Sequence, residues 1–239
     1  MNDKLDQEVI LNQEDLLNML DSLLEKWDEE WWNEFYSDKG KPIPFFVNAP
    51  DENLVTYFDK YFDDIGRALD VGCGNGRNSR FIASRGYDVE GLDFSKKSIE
   101  WAKEESKKTG DIALYVNDSF FNINRELSSY DLIYDSGCLH HIKPHRRSQY
   151  LEKVHRLLKP GGYFGLVCFN LKGGANLSDH DVYKKSSMAG GLGYSDIKLK
   201  KILGTYFEIV EFREMRECAD NALYGKDICW SILMRRLAK

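Results

Sequence analysis

One stretch constrains this chain more than any other: Ala68-Leu69-Asp70-Val71-Gly72-Cys73-Gly74-Asn75-Gly76-Arg77-Asn78. A short apolar run reaches an acid and then breaks into three glycines at alternate positions, and the helical pattern Phe81-Ile82-Ala83 follows. That order predicts a strand, a tight loop and a helix. Residues without a Cβ let the loop backbone approach a ligand, and a helix start offers unpaired N–H groups. In open α/β sheets this place, beyond the carboxyl end of a strand, is where nucleotide-like ligands bind.

The chain beyond the loop keeps the same alternation. Strands are expected at 67–71, 87–93, 112–117, 131–135 and 163–169, the last entered through a turn at Lys159-Pro160-Gly161-Gly162. Helices are expected at 75–85, from the Ser95 cap to 109, at 145–158 and at 195–203, with closing strands at 206–214 and 227–235. Residues 171–193 read as a Gly-rich loop. Alternating strands and helices imply βαβ units and a mostly parallel sheet covered on both faces, a doubly wound α/β fold. Upstream, Leu16, Leu20, Leu23, Leu24, Trp27 and Trp31 fall at helical spacing, predicting one helix over 12–36 with Asn12 and Asp15 at its start. It ends in the aromatic cluster Trp31-Trp32-Asn33-Glu34-Phe35-Tyr36, which reads either as a packed amphipathic face or as a lid over the ligand. Pro42 and Pro44 interrupt, and a second helix is expected at 51–62. The organisation expected is therefore a helical substrate-side segment at 1–64 and a ligand-binding domain at 65–239.

With 239 residues, 42% hydrophobic and 30% charged, the composition is that of an ordinary globular chain. A net charge of −6, with basic residues in scattered pairs, gives no footprint for nucleic acid. No apolar run approaches the length of a membrane span, and the first residues lack a signal core. Five widely spaced cysteines without a Cys-x-x-Cys pair suit a reducing compartment, so a cytoplasmic location is expected.

Three further acids stand at predicted strand ends beside the glycine loop. Asp93 closes the second strand, where such folds place an acceptor for ribose hydroxyls. Asn117-Asp118-Ser119-Phe120 closes the third, offering an acceptor and an aromatic ring to an adenine. Asp135 closes the fourth. A nicotinamide site would want G-x-G-x-x-G, whereas this chain has G-x-G-x-G. His140 and His141 follow the fourth strand, where a base or an orienting group for a second substrate would stand. His141 and His145 share metal-like spacing, but Pro144 lies between them and no carboxylate is well placed, so no metal site is expected. Cys73 and Cys138 read as small apolar filling, and Arg146 and Arg147 either as surface charges or, one of them, as a tie between that helix and the N-terminal segment.

Leu69-Asp70-Val71-Gly72-Cys73-Gly74-Asn75-Gly76 resembles the first motif of class I S-adenosylmethionine-dependent methyltransferases. Asp93, Asp118, Tyr130-Asp131-Leu132-Ile133-Tyr134-Asp135 and Leu158-Lys159-Pro160-Gly161-Gly162 are similar to that family's later motifs, in its order. The resemblance implies a Rossmann-like seven-stranded sheet with an antiparallel last strand, and S-adenosyl-L-methionine as cofactor with S-adenosyl-L-homocysteine as product. It also implies that Asp70, Gly72, Gly74 and Gly76 face the methionine moiety and that Phe94 and Phe120 flank the adenine. Tyr36, Cys73, Asn75, Asn78, Ser95, Ser119, Asp135 and Ser136 complete the expected cofactor contacts, with His140 and His141 on the acceptor side. Pro42-Ile43-Pro44-Phe45-Phe46 and the run Asp135 to Tyr150 resemble the thiopurine, thiol, halide and tellurite-resistance methyltransferases. Those proteins typically carry Pro-Trp where this chain has Pro44-Phe45, and Asp-Arg where it has Asp135-Ser136. The expected acceptor is a small-molecule nucleophile, a thiol or similar, with no nucleic acid and no membrane. A macromolecular acceptor and a non-catalytic cofactor-binding role are the alternatives.

Overall fold

Runs such as Ala68-Leu69-Asp70-Val71 and Leu132-Ile133-Tyr134 are apolar on both alternate faces, as strands sandwiched between helices must be. In the computed structural model, which describes residues 9–24, 27–62, 65–219 and 222–237, they form the centre of one sheet. Its strands are β1 (Arg67–Val71), β2 (Asp88–Asp93), β3 (Ala113–Asn117), β4 (Tyr130–Ser136), β5 (Leu158–Phe169), β6 (Phe207–Glu214) and β7 (Cys229–Arg236), in the order β3-β2-β1-β4-β5-β7-β6. Strands β1 to β5 pair in parallel, and β7 runs antiparallel to both β5 and β6. This is the Rossmann-like doubly wound sheet expected, and its order reverses between β1 and β4, which opens a crevice at their carboxyl ends.

Helices α1 (Gln13–Ser22), α2 (Glu29–Ser37) and α3 (Glu52–Lys60) precede the sheet. Between strands or beyond them lie α4 (Arg77–Ser84), α5 (Lys96–Thr109), α6 (Arg147–Leu157), α7 (Asp179–Lys185) and α8 (Asp196–Leu203). One face of the sheet buries Leu69, Ile133 and Leu166 with Leu151 and Val154 of α6. The other buries Leu132 with Leu54 and Phe58 of α3 and Ile82 of α4.

Four local expectations are corrected. The helix expected over 12–36 is two: α1 is closed by Leu23 at its C-cap, and Asp28 starts α2 by accepting from the Trp31 N–H at 3.1 Å. A capping carboxylate satisfies orphan donors and so starts a helix wherever it sits. Residues 159–162 do not end in a turn before the strand. Instead β5 begins at Leu158 and runs through them, with a register shift opposite Tyr130 and Leu132 that Gly161, at φ 78°, accommodates. Within the expected loop 171–193 lies α7, capped by Ser178, too short for its periodicity to register. Helix α6 starts at Arg147, after 3-10 turns at Leu139–His141 and Pro144–Arg146. The expected domain boundary at 64/65 meets residues 63 and 64, which lie outside the described residues.

The N-terminal segment is tied to the sheet by buried charge. Asp51, fully buried, pairs with Arg77, the first residue of α4. It also accepts from Asn78 Nδ2 at 3.0 Å and from the Tyr134 hydroxyl at 2.7 Å. Arg77 further donates to the Ala49 carbonyl and to Ser136 Oγ, each at 3.2 Å, and its guanidinium lies 4.4 Å over the Tyr224 ring. Farther out, Arg146 binds Glu14, Asn18 and Asp21, tying α1 to the loop after β4 as the sequence suggested.

Breaking a buried pair strands the partner charge, at a cost of about 3–5 kcal/mol. Asp51→Ala should lower the urea-unfolding free energy by that amount. Glu104→Ala, which breaks an exposed pair with Lys39, should change it by less than about 1 kcal/mol.

Candidate functional site

The carboxyl ends of β1, β2, β3 and β4 surround a cleft of about 1040 Å³, roofed by Trp27, Trp32 and Tyr36 of the N-terminal segment together with Phe45 and Phe46. The glycine loop forms its floor. Gly72 sits at φ 65°, and a Cβ there would fall 2.0 Å from Cys138 Sγ. The loop after β4 therefore lies directly on the loop after β1. Gly76, at φ 76°, backs onto Tyr115 at the turn that opens α4 and is not among the residues lining the cleft.

The strand-end acids divide by their partners. Asp93 lines the cleft and accepts from the Gly74 N–H at 3.0 Å and the Ser95 N–H at 2.8 Å, one bond to each carboxylate oxygen. A carboxylate oxygen has a second lone pair, so both can still accept from a ligand. Asp70 also borders the cleft and holds the Ser79 hydroxyl, joining β1 to α4. Asp135 is fully buried and accepts from the Cys138 N–H at 2.6 Å, the Leu139 N–H at 3.1 Å and the Tyr150 hydroxyl at 2.7 Å. It shapes the loop after β4 and does not face the cleft, and Ser95 likewise caps α5 and donates to Asn33 behind the wall. In both, the polar atoms are spent on backbone and neighbouring side chains.

Burial raises all three acids: Asp70 to about 7, and Asp93 and Asp135 to about 6, against the opposing pull of their hydrogen-bond donors. Burial also drives the Tyr36 hydroxyl and the Cys73 and Cys138 thiols up, keeping them protonated at neutral pH.

Asn75, Asn78 and Ser136 border the cleft while bonding the Val47 carbonyl, Asp51 and Arg77, respectively. Phe94, Asp118, Ser119 and Phe120 stand together at the far end, beyond β2 and β3. Phe94 meets Trp32 edge-on at 6.5 Å, and Phe120 rests 5.0 Å from the Tyr150 ring.

The histidines, adjacent in sequence, have different surroundings. His140 stacks on Phe169 at 3.8 Å, and its Nδ1 accepts the Phe169 N–H at 3.3 Å. The neutral ring therefore carries its proton on Nε2 and can act as a donor there. His141 lies between Trp27 and Trp32, at 5.1 and 5.2 Å, with its Nδ1 buried and unpartnered. Burial holds His140 well below its usual range and His141 at about 4. His145 turns away to Tyr183 and Asp21. Phe169 and Tyr224, which also line the cleft, and the Asp51–Arg77 pair went unremarked in the sequence, where they read as ordinary strand, loop and helix-start residues.

Residues 68–162 match the family described as a methyltransferase domain. An uncharacterized methyltransferase of Synechocystis sp. is 35% identical over 101 residues, 42% of this chain and 46% of that protein, so the chain spans about half the length of that relative. Thiocyanate methyltransferase 1 of Brassica oleracea is 29% identical over 179 residues, 73% of each chain. A solved structure described as converting a disulfide bond into a thioacetal group during echinomycin biosynthesis superposes with a TM-score of 0.70 and 23% identity, covering 87% of this chain and 91% of the other. At that identity the likeness is one of fold.

The raised carboxyls carry a definite sign. A folded pKa above the unfolded value means the native state holds more protons, so this contribution to stability is lost as pH climbs through the folded pKa. For Asp70 the window runs from about 4 to about 7, and its full span is worth on the order of 4 kcal/mol. The lowered histidines act oppositely below pH 6.5, so the comparison must be made against a variant. Asp70→Asn should gain stability relative to the parent as pH rises from 5 to about 8, as read by unfolding of the unliganded protein. A pH-independent difference between the two would contradict it.

Proposed function

Since this chain belongs to the class I S-adenosylmethionine-dependent methyltransferases, we propose that it methylates a small, soft nucleophile, a thiol or a comparable anion, by in-line displacement. The observation that carries the acceptor class is that, among the described residues, neither histidine on the acceptor side of the cleft is a competent base. His140 already uses Nδ1 as an acceptor, and His141, at about 4, is too weak a base to take a proton from an ordinary acceptor at neutral pH. Tyr36, Cys73 and Cys138 stay protonated there. A nucleophile that arrives ionised, or needs no deprotonation, asks only to be aligned and shielded from water.

The cleft suits the cofactor in size, polarity and glycine-lined floor. When bound, S-adenosyl-L-methionine supplies an electrophilic methyl group on a sulfonium. In this reading the free lone pairs of Asp93 take the ribose hydroxyls, and Asp118 and Ser119 meet the adenine between Phe94 and Phe120. Asp70, Gly72, Cys73, Gly74 and Asn75 border the methionine end, with Asn78 and Ser136 behind them. Tyr36 and Trp32 present ring faces that favour a cation. Trp27, Trp32, His141 and Phe169 wall the acceptor, and the unpartnered Nδ1 of His141 gives it a hydrogen bond. The part of the N-terminal segment from Trp27 to Phe46 then serves as the substrate-side roof. The relation to a thiocyanate methyltransferase supports a soft acceptor, and the acidic net charge argues against a nucleic acid. The five free thiols, with no described helix able to cross a membrane, suit a reducing cytoplasmic setting.

S-adenosyl-L-homocysteine release, assayed against pooled thiols, halides, oxyanions, phenols and amines, should appear with the thiol or anion pools. Release only with tRNA or cell protein would overturn the acceptor class. A second expectation concerns His141: His141→Asn should lower kcat/KM for the acceptor by roughly tenfold, the scale of one buried hydrogen bond. The pH–rate profile should keep the apparent pKa of the acceptor itself. Loss of the acidic limb, the fall in rate at low pH, in that variant would instead make His141 the base.

A further inference from the structure

The turn that follows β3 is held in place by α6, whose Tyr150 and Lys153 also border the cleft. Its own backbone supplies bonds from Asn122 N–H and Ile123 N–H to the Ser119 carbonyl, at 2.9 and 3.1 Å. Among the described residues no backbone N–H reaches the carbonyls of Phe121 or Ile123. Both are met instead by Lys153, whose Nζ donates to Phe121 O at 2.9 Å and to Ile123 O at 2.7 Å. The same ammonium lies 5.4 Å from the centroid of Phe120. One turn earlier on α6, Tyr150 sets its ring 5.0 Å from Phe120 and 6.3 Å from Phe121.

A lysine on a solvated helix face ordinarily pairs with a carboxylate or stays in water. Lys153 is partly buried and forms no ion pair among the described residues, although the charge of nearby Asp118 acts on it. It spends two protons on the carbonyls of a single turn and its charge on the ring inside that turn, and burial lowers its pKa. Charge-assisted bonds to carbonyls are among the stronger ones, and two on one short segment fix its path. That segment carries Asp118, Ser119 and Phe120 at the far end of the cleft.

We infer that Lys153 is a positioning residue for the adenosine half of the cofactor site, holding the 119–123 turn so that Phe120 and Asp118 stand ready against the base. The inference rests on the cofactor reading above. It predicts a role in affinity and none in alignment of the acceptor, because the residue acts at the end of the cleft away from His141 and Phe169.

The test is calorimetric titration of the full chain with two ligands, S-adenosyl-L-homocysteine and 5′-methylthioadenosine, which keeps the adenosine and lacks the amino acid. Lys153→Met should weaken both by the same factor, roughly tenfold as for one charged hydrogen bond. Lys153→Arg, which can also cap two carbonyls, should restore most of the affinity. In turnover, Lys153→Met should raise KM for S-adenosyl-L-methionine while kcat holds at saturation. Parental affinity for both ligands in Lys153→Met, alongside their loss in Asp93→Ala, would overturn the inference alone. So would a loss confined to S-adenosyl-L-homocysteine, which would place the effect at the amino-acid end. Parental affinity in Asp93→Ala as well would sink the cofactor reading itself. If Lys153→Met does not fold, Lys153→Gln is measured in its place under the same criteria.

Discussion

The Asp51–Arg77 pair lies where four parts of the chain meet. Taking two charges out of water is expensive and is offset only when geometry and further hydrogen bonds are good. Here Asp51 accepts from Arg77, Asn78 and Tyr134, while Arg77 reaches Ala49, Ser136 and the face of Tyr224. Those partners belong to the N-terminal segment, to α4, to β4 and to the loop before β7. Because Arg77 is also the first residue of α4, the helix that closes the glycine loop and the segment that roofs the cleft share one charge pair. The roof and the floor of the site are positioned together.

A second consequence of burial is the electrostatic character of the cleft. Asp70 and Asp93 border it without a paired cation, and their protons are held more tightly than in water. A cationic ligand relieves that cost, since it stabilises the charged carboxylates as they stabilise it. The thiols, the tyrosine hydroxyl and both histidines are likewise pushed by burial toward their neutral forms. In the proposed reading these acids lie at the cofactor end, where a bound cation would favour their charged forms, and the acceptor end is neutral and aromatic, a division suited to attack on a sulfonium methyl by a nucleophile that brings its own charge.

Helix α6 connects those two ends. The Tyr150 hydroxyl reaches Asp135, which orders the N–H groups of Cys138 and Leu139 ahead of the histidines. Its ring supports Phe120, and Lys153 holds the turn beyond it. One helical face thus braces both the loop after β4 and the loop after β3, so neither is shaped by its own local sequence alone.

The strands, most of the helices, the glycine loop and the acids at strand ends were legible in the sequence because each follows from short-range physics: apolar alternation, capping and the conformational freedom of glycine. What a single sequence could not resolve was which of several chemically equal residues faces the ligand. Asp93 and Asp135 both end parallel strands, yet only Asp93 keeps lone pairs toward the cleft, because Tyr150 and two N–H groups reach the other. His140 and His141 are neighbours, yet Phe169, brought alongside by the pairing of β4 with β5, takes Nδ1 of the first and leaves that of the second free. The 12–36 helix divides at a cap that periodicity does not register, and the Asp51–Arg77 pair joins residues 26 positions apart. Local sequence determined where strands, helices and a cofactor loop would form. Tertiary structure decided which polar atoms remained free, because hydrogen-bond partners are chosen by proximity in space, and that depends on how the sheet brings distant segments together.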